Sequence, residues 1–451
     1  MDTIAAISTP IGNGGIGIIR ISGDKSLEII KKIFKTAKEE YLPNTIVYGK
    51  IVENSEFIDE ALVSFFKAPL SYTGEDVIEI NCHGGMIVLD RILDLVLKNG
   101  AKLAEPGEFT KRAFLNGKMD LTQAESVMDI INSKSELENK NSARILNGEL
   151  GNRIKNVKSN VLDVVVDLEA NVDYPEYDIE QISRDKVVNT LEQAIEDLKN
   201  LSNTFNEGKI IKEGINIAIV GKPNVGKSSL LNRLLKEERA IVTDVAGTTR
   251  DTIKESIIYK GITLNLVDTA GIHETDDLVE NIGVNKSINA IREADLVLMV
   301  IDNSSNIDEE DFDILKKLEN KNKYFIINKV DVNCDKRLDI DNYVKNDKCF
   351  YVSARENIGI NEMLDSIISD YKMDNLKTNS EVVISNKRHK EAIDKTISSF
   401  ENALNNAKLQ VPLDMLSIEI QNGIDCLNEI LGSNVNEEII DGIFKKFCLG
   451  K

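Results

Sequence analysis

Apolar positions change their spacing several times along this chain. Up to residue 118, short runs rich in Val, Ile and Phe at 3–8, 16–22, 45–52 and 60–66 predict strands. Apolar residues three and four apart predict helices over 25–34 and 85–99. The stretches 122–135, 142–173 and 183–207 are long, charged and almost free of Gly and Pro, and they predict longer helices interrupted at Pro175. Apolar strands at 215–220, 263–267, 296–301, 323–327 and 349–352 then alternate with helical patterns, as in a parallel, doubly wound sheet. Residues 380–451 are helical again. The expected architecture is multidomain. An α+β domain at 1–118 is followed by a discontinuous helical domain at 119–208 and 373–451, with an α/β domain inserted at 209–372.

Composition narrows the partners. The 451 residues hold 55 Lys+Arg against 75 Asp+Glu, a net charge of −20, which excludes a broadly basic nucleic-acid surface but not a local basic patch. There is no apolar run of membrane-spanning length, and Met1-Asp2-Thr3-Ile4 lacks the basic start of a signal peptide. The cysteines, Cys82, Cys334, Cys349, Cys426 and Cys448, are odd in number and form no CxxC pair. Neither a disulfide framework nor a zinc cluster is expected, and a reducing cytoplasm is. Cys448-Leu449-Gly450-Lys451 imitates a prenylation box, but its Gly and terminal Lys fit one poorly.

Two glycine-rich loops compete for a phosphate-binding role. Gly12-Asn13-Gly14-Gly15-Ile16-Gly17 has the GxGxxG spacing but runs into a strand-like segment. A dinucleotide site needs a helix there, so a hairpin-like turn is the expectation. Gly221-Lys222-Pro223-Asn224-Val225-Gly226-Lys227-Ser228 follows a strand and opens a helix at Ser229, the context a P-loop requires. Its backbone N–H groups suit phosphates, Lys227 suits the β- and γ-phosphates, and Ser228 suits Mg²⁺. Further motifs follow in order: Gly247-Thr248-Thr249-Arg250-Asp251, with a threonine for Mg²⁺; Asp268-Thr269-Ala270-Gly271; Asn328-Lys329-Val330-Asp331, whose carboxylate can accept two N–H groups of guanine; and Ser353-Ala354-Arg355, closing over the base. Together they specify a GTP-binding domain. The position where Ras-like GTPases carry a water-orienting Gln is Ile272, so hydrolysis needs another group, with Asp276, Asp277 and Glu280 nearby.

The order of these motifs within a helical host resembles the tRNA-modification GTPase MnmE (TrmE) family. So do Ile19-Arg20-Ile21-Ser22-Gly23, Tyr72-Thr73-Gly74-Glu75-Asp76, His83-Gly84-Gly85, Glu105-Pro106-Gly107-Glu108-Phe109-Thr110 and Phe447-Cys448-Leu449-Gly450-Lys451. The resemblance spans essentially the whole chain. It implies an N-terminal domain that binds a one-carbon (methylene or formyl) tetrahydrofolate through positions matching Arg20, Glu79, Lys118 and Lys451. It implies a Ras-like G domain activated by K⁺ held at Asn224, Thr243, Val245 and Thr248, within the nucleotide-facing loop Thr243-Asp244-Val245-Ala246-Gly247-Thr248-Thr249. Mg²⁺ is expected at Ser228 and Thr249, and Glu280 matches the glutamate that orients the attacking water. It also implies a homodimer that works with a flavin-containing MnmG-type partner, as a heterotetramer, on the wobble uridine of certain tRNAs.

Two other readings compete: a ribosome-assembly switch that modifies nothing, and a folate enzyme with a vestigial G domain. The first would normally carry a basic RNA-binding module, and the second conflicts with the intact nucleotide motifs. At the C-terminus, Phe444 and Phe447 lie three apart, are expected on one face of the preceding helix and are expected to anchor the tail in the core. Cys448 is then either buried packing or a thiol presented at the site.

Overall fold

A computed structural model of the chain describes residues 2–10, 12–37, 41–173, 184–237, 255–268, 290–319, 321–332, 347–371 and 381–451. These fall into two compact units, one of residues 1–131, 143–196 and 392–451 and the other of residues 132–142 and 197–391.

The first unit is organised on a seven-stranded sheet. Its strands are β1 (Ile4–Ile7), β2 (Gly14–Ser22), β3 (Phe34–Lys35), β4 (Ile46–Glu53), β5 (Glu56–Phe66), β6 (Val77–Gly84) and β7 (Lys102–Leu103). Their spatial order is β3-β4-β5-β6-β2-β1-β7. All neighbours are antiparallel except β1 and β7. Strand parity decides what each face carries. Ile19, Ile21, Ile78, Ile80 and Cys82 point into a core closed by the helices Ser26–Ile33 and Met86–Lys98. Their neighbours Arg20 and Glu79 face the other way and are directly paired across the strands. The loop Gly12–Gly17 enters β2 with no helix after it, as its sequence context predicts for a turn.

The remainder of this unit is helical. Leu150, Ile154, Val157, Val161 and Leu168 form a buried stripe on Glu149–Asp173, which packs along Leu413–Leu431. Gly423 allows Leu413–Leu431 to close on the Phe400 ring of Lys387–Lys408. The stretch 142–173, expected as one helix, is two: Glu136–Leu146 ends at Asn147, and Gly148, at φ 88°, breaks the path before Glu149. The predicted helix 183–207 likewise ends at Asn203, and a new helix, Phe205–Glu213, begins.

The second unit contains a six-stranded sheet. Its strands are β8 (Ile215–Val220), β9 (Glu255–Tyr259), β10 (Ile262–Asp268), β11 (Leu296–Asp302), β12 (Lys323–Asn328) and β13 (Lys348–Tyr351). The order is β13-β12-β11-β8-β10-β9, parallel throughout except for the β9–β10 pair. Both faces are covered, which explains the near-continuous apolar strands. Ile217, Ile219, Leu264, Leu298 and Ile326 serve one core, while Ala218, Val220, Val297, Met299 and Phe325 serve the other. The C-terminal ends of β8, β10, β12 and β13 lead into the P-loop and the Asp268, Asn328 and Ser353 motifs.

Candidate functional site

The P-loop leaves β8 at Gly221 and enters the helix Lys227–Glu237. Lys227 is 7% exposed, and its Nζ donates to the Gly221 carbonyl at 2.9 Å and the Lys222 carbonyl at 2.7 Å. The loop is therefore wound around its own ammonium group. Ser228 and Ser229 are exposed in the first turn of the helix, where N–H groups and the helix dipole favour an anion. Asn224, also exposed, sits in the left-handed region at φ 63°.

Asn328 joins three motifs that are far apart in sequence. Its Nδ2 donates to the Val225 carbonyl at 2.9 Å, and its Oδ1 accepts the Ala354 N–H at 3.1 Å. Gly226, at φ 100°, leaves room for that amide, because a Cβ there would overlap Asn328 Nδ2. Lys329 Nζ donates to the Asn224 carbonyl at 2.8 Å and pairs with Asp302 at 2.6 Å. Asp331 is exposed and accepts the Ser353 hydroxyl at 2.6 Å, a bond that holds its carboxyl below the usual carboxylate range. Arg355 is exposed, and its carbonyl is held by Arg233 of the P-loop helix. The sequence reading missed Asp302 and the pairing of Lys222 with Asp308 (2.7 Å) and Asp311 (2.8 Å). No motif marks these residues, because they act through tertiary placement.

Asp268 is the last residue of β10, paired in register with Ile219. The expected residues Thr243, Asp244, Val245, Ala246, Gly247, Thr248, Thr249, Thr269, Ala270, Gly271 and Glu280 lie outside the described residues, as do Ile272, Asp276 and Asp277.

A second constellation belongs to the first unit. Arg20 Nε and Nη2 both reach Glu79 Oε1, at 2.9 and 2.8 Å. The guanidinium lies over the rings of Tyr72 and Phe109, 5.2 and 5.7 Å from their centroids, so aromatic faces support its charge. Arg20 Nη1 also approaches the Gly450 carbonyl at 3.5 Å, which accepts the Ser8 hydroxyl at 3.1 Å. The C-terminal tail is thereby docked beside the pair. Burial, then the Arg20 charge, holds the Lys451 ammonium below the usual lysine range. Cys448 is exposed, which settles its placement against the packing alternative. Phe444 ends the helix Glu437–Phe444, and Phe447 lies just beyond it. Both are buried with ring centroids 5.1 Å apart, so the anchor is a helix end and a turn, not one helical face.

Arg20, Glu79 and Lys451 are thus brought together. Lys118 instead joins the loop at 69–74, its Nζ donating to the Pro69 carbonyl at 3.0 Å. The aromatic floor is held by a polar network. Arg112, nearly buried, donates to both Glu75 oxygens at 3.2 Å and to Glu108 at 2.7 Å; Ser22 donates to Glu75 at 2.6 Å; and Tyr72 meets Thr110 at 2.9 Å. Tyr72 and Glu75 belong to the segment 72–76, Glu108 and Thr110 to 105–110 and Ser22 to 19–23, and these contacts give those segments a structural task.

Gly450 tests the docking. Its φ is 88°, and a Cβ would overlap the Ile7 carbonyl. Gly450→Ala is expected to release the tail, so that carboxypeptidase trims it faster while the thermal midpoint falls by only about 2–4 °C. Unchanged trimming would show that the tail is held by other contacts.

Two family models match the chain: one described as GTP-binding protein TrmE N-terminus over residues 3–118, and one described as MnmE helical domain over residues 121–448. The tRNA modification GTPase MnmE of Acetivibrio thermocellus is 49% identical over 455 residues, covering 100% of this chain and 99% of that protein. The protein of the same name from Clostridioides difficile is 46% identical, with the same coverage. That from Thermoanaerobacter pseudethanolicus is 46% identical over 459 residues, again with 100% and 99% covered.

Proposed function

The chain belongs to the MnmE family of tRNA-modification GTPases, and from that membership we propose that it is a K⁺-activated GTP hydrolase that uses a one-carbon tetrahydrofolate to modify wobble uridine. It does so with a flavin-containing MnmG-type partner, adding a carboxymethylaminomethyl-type group to certain tRNAs. The observation that supports the folate half is the Arg20–Glu79 pair on its aromatic floor, with the tail's Lys451 alongside. A carboxylate suits the amidine-like N–H pair of a pterin, and cationic side chains suit carboxylates. Lys118 supplies another ammonium, docked against the 69–74 loop. The folate, when bound, supplies the carbon to be transferred; the chain's own groups bind it, orient it and limit water.

On the nucleotide side, the reading gives Lys227 the β- and γ-phosphates, Ser228 Mg²⁺ and Asp331 guanine. Asn224 has its carbonyl pinned by Lys329, leaving its side chain exposed for the K⁺ proposed beside the γ-phosphate. Such a cation would neutralise developing charge, as an arginine finger does elsewhere. Thr243, Val245 and Thr248 complete the proposed K⁺ set, Thr249 the Mg²⁺ set, and Glu280 orients water. The working assembly is a homodimer joined to the partner as a heterotetramer, in the cytoplasm.

Mass analysis of wobble uridine in tRNA from cells lacking this protein tests the whole assignment; an unchanged nucleoside profile refutes it. Hydrolysis should run at least about tenfold faster in K⁺ than in Na⁺ at equal ionic strength. Glu280→Ala should lower turnover about 10²-fold while sparing GTP binding. Indifference to the cation would remove K⁺ from the account, and lost GTP binding would remove Glu280 from the hydrolytic role.

A further inference from the structure

Asp59 and His83 form a dyad outside the groups discussed so far. Glu79, Asn81 and His83 alternate along β6 on the face opposite the core, while Ile78, Ile80 and Cys82 point inward. His83 therefore shares a sheet face with Arg20 and Glu79, about 13 Å along the strand from Glu79 at ~3.3 Å per residue. The Asp59 side chain is 10% exposed, the imidazole 72%. Asp59 Oδ1 meets His83 Nδ1 at 2.6 Å and accepts the Glu60 N–H at 2.8 Å, while Oδ2 accepts the His83 N–H at 2.9 Å. A nearly buried carboxylate thus fixes the His83 backbone N–H through one oxygen and its exposed imidazole through the other, which it shares with the Glu60 N–H. In the neutral ring this arrangement puts the proton on Nδ1 and leaves Nε2 as the acceptor.

The backbone beside this imidazole is bare. Gly14 pairs with Gly84 across β2 and β6. Packing accounts for two of the local glycines, since a Cβ would come within 2.6 Å of Leu89 at Gly17 and of the Gly14 carbonyl at Gly84. It does not account for Gly15, where a Cβ meets nothing within 4 Å, or for Gly85, where it meets only Val88 at 4.0 Å. Neither of these two has a positive φ. The exposed side chains of Ile16 and Ile87 edge the strip. An imidazole pinned at one nitrogen, beside glycines that the fold does not require, is built to meet another molecule.

We propose that His83, oriented by Asp59, is the acid–base group of the tetrahydrofolate-side chemistry. Nε2 accepts a proton from a cationic ligand N–H, whose electron pair stays on that nitrogen and leaves it neutral. The imidazolium so formed returns that proton, and Asp59 remains ionised throughout. The burial that pushes the Cys82 thiol up to about 11, with the Asp59 charge adding to it, keeps that neighbour out of the exchange. The proposal rests on the folate reading given above.

The test uses the full-length protein, diethylpyrocarbonate and 5-formyltetrahydrofolate, with labelled histidines mapped by mass spectrometry. His83 should be carbethoxylated readily and the buried His389 slowly. Saturating folate should slow His83 labelling at least about fivefold, and GTP should not. His83→Gln should lower tRNA modification about 100-fold with folate affinity and GTP hydrolysis unchanged, and added imidazole should partly restore His83→Ala. If the wild type binds folate by equilibrium dialysis yet His83 labels at the same rate, or if His83→Gln modifies tRNA normally, the proposal is overturned alone. If the wild type binds no folate, the ligand reading fails and takes the proposal with it.

Discussion

Removing residues 448–451 should abolish tRNA modification and leave GTP hydrolysis within about twofold of the full-length chain. The reasons are local to each compact unit. Phe444 and Phe447, which hold the end of the chain in its core, remain in the shortened protein. The hydrogen bonds removed include those of the Gly450 carbonyl with Ser8 and Arg20, whose partly exposed donors water can reach, and that of the Cys448 carbonyl with the buried Gly107 N–H, a long contact at 3.4 Å. What cannot be replaced is the exposed Cys448 thiol and the Lys451 ammonium beside the Arg20–Glu79 pair. The groups around Lys227, by contrast, come from residues 221–228, 302, 328–331 and 353–355 of the other unit. Both activities should be measured on one purified truncation whose melting temperature is within a few degrees of wild type. Persistent modification would make the tail dispensable, and a collapse of hydrolysis would mean that the two chemistries depend on each other.

Asp331→Asn lowers GTP affinity by about 10²–10³-fold and raises affinity for xanthosine triphosphate. The carboxylate offers two acceptor positions to the ring N–H and exocyclic amine of guanine. An amide offers one acceptor and one donor, which suits a base with a carbonyl at the second position. The fold should tolerate the change, because Asp331 is exposed and an Asn oxygen can still accept the Ser353 hydroxyl. Competition between the two nucleotides on wild type and variant reads the shift directly. Equal GTP affinity in the two proteins would mean that the base is recognised elsewhere.

Much of the nucleotide side was legible in the sequence because its parts are contiguous. The P-loop and the Asp268, Asn328 and Ser353 motifs each sit at the end of a strand, and the strand's apolar run is visible without knowing its neighbours. The tertiary joins were not legible. Asn328 could be assigned to a motif, yet its role in tying Val225 to Ala354 depends on the order of β8, β11 and β12. The Arg20–Glu79 pair spans 59 residues and exists only through the register of β2 against β6. Strand β6 itself escaped the reading, since Glu79, Asn81 and His83 interrupt its apolar residues at alternate positions. The helix Glu108–Leu115 escaped for a related reason. Thr110 and Arg112 are buried in it by hydrogen bonding and ion pairing, which obscures the apolar period that normally announces a helix.

The alternation in β6 also limits how this segment can change over generations. One residue's displacement would exchange the two faces, sending Glu79 and His83 into the core and Ile78 and Ile80 out to the surface. A codon gained or lost between Val77 and Gly84 would therefore damage folding and chemistry in a single event, whereas an exchange of one outward side chain touches chemistry alone. The pleat therefore admits change in this strand by substitution and leaves changes of length to its turns.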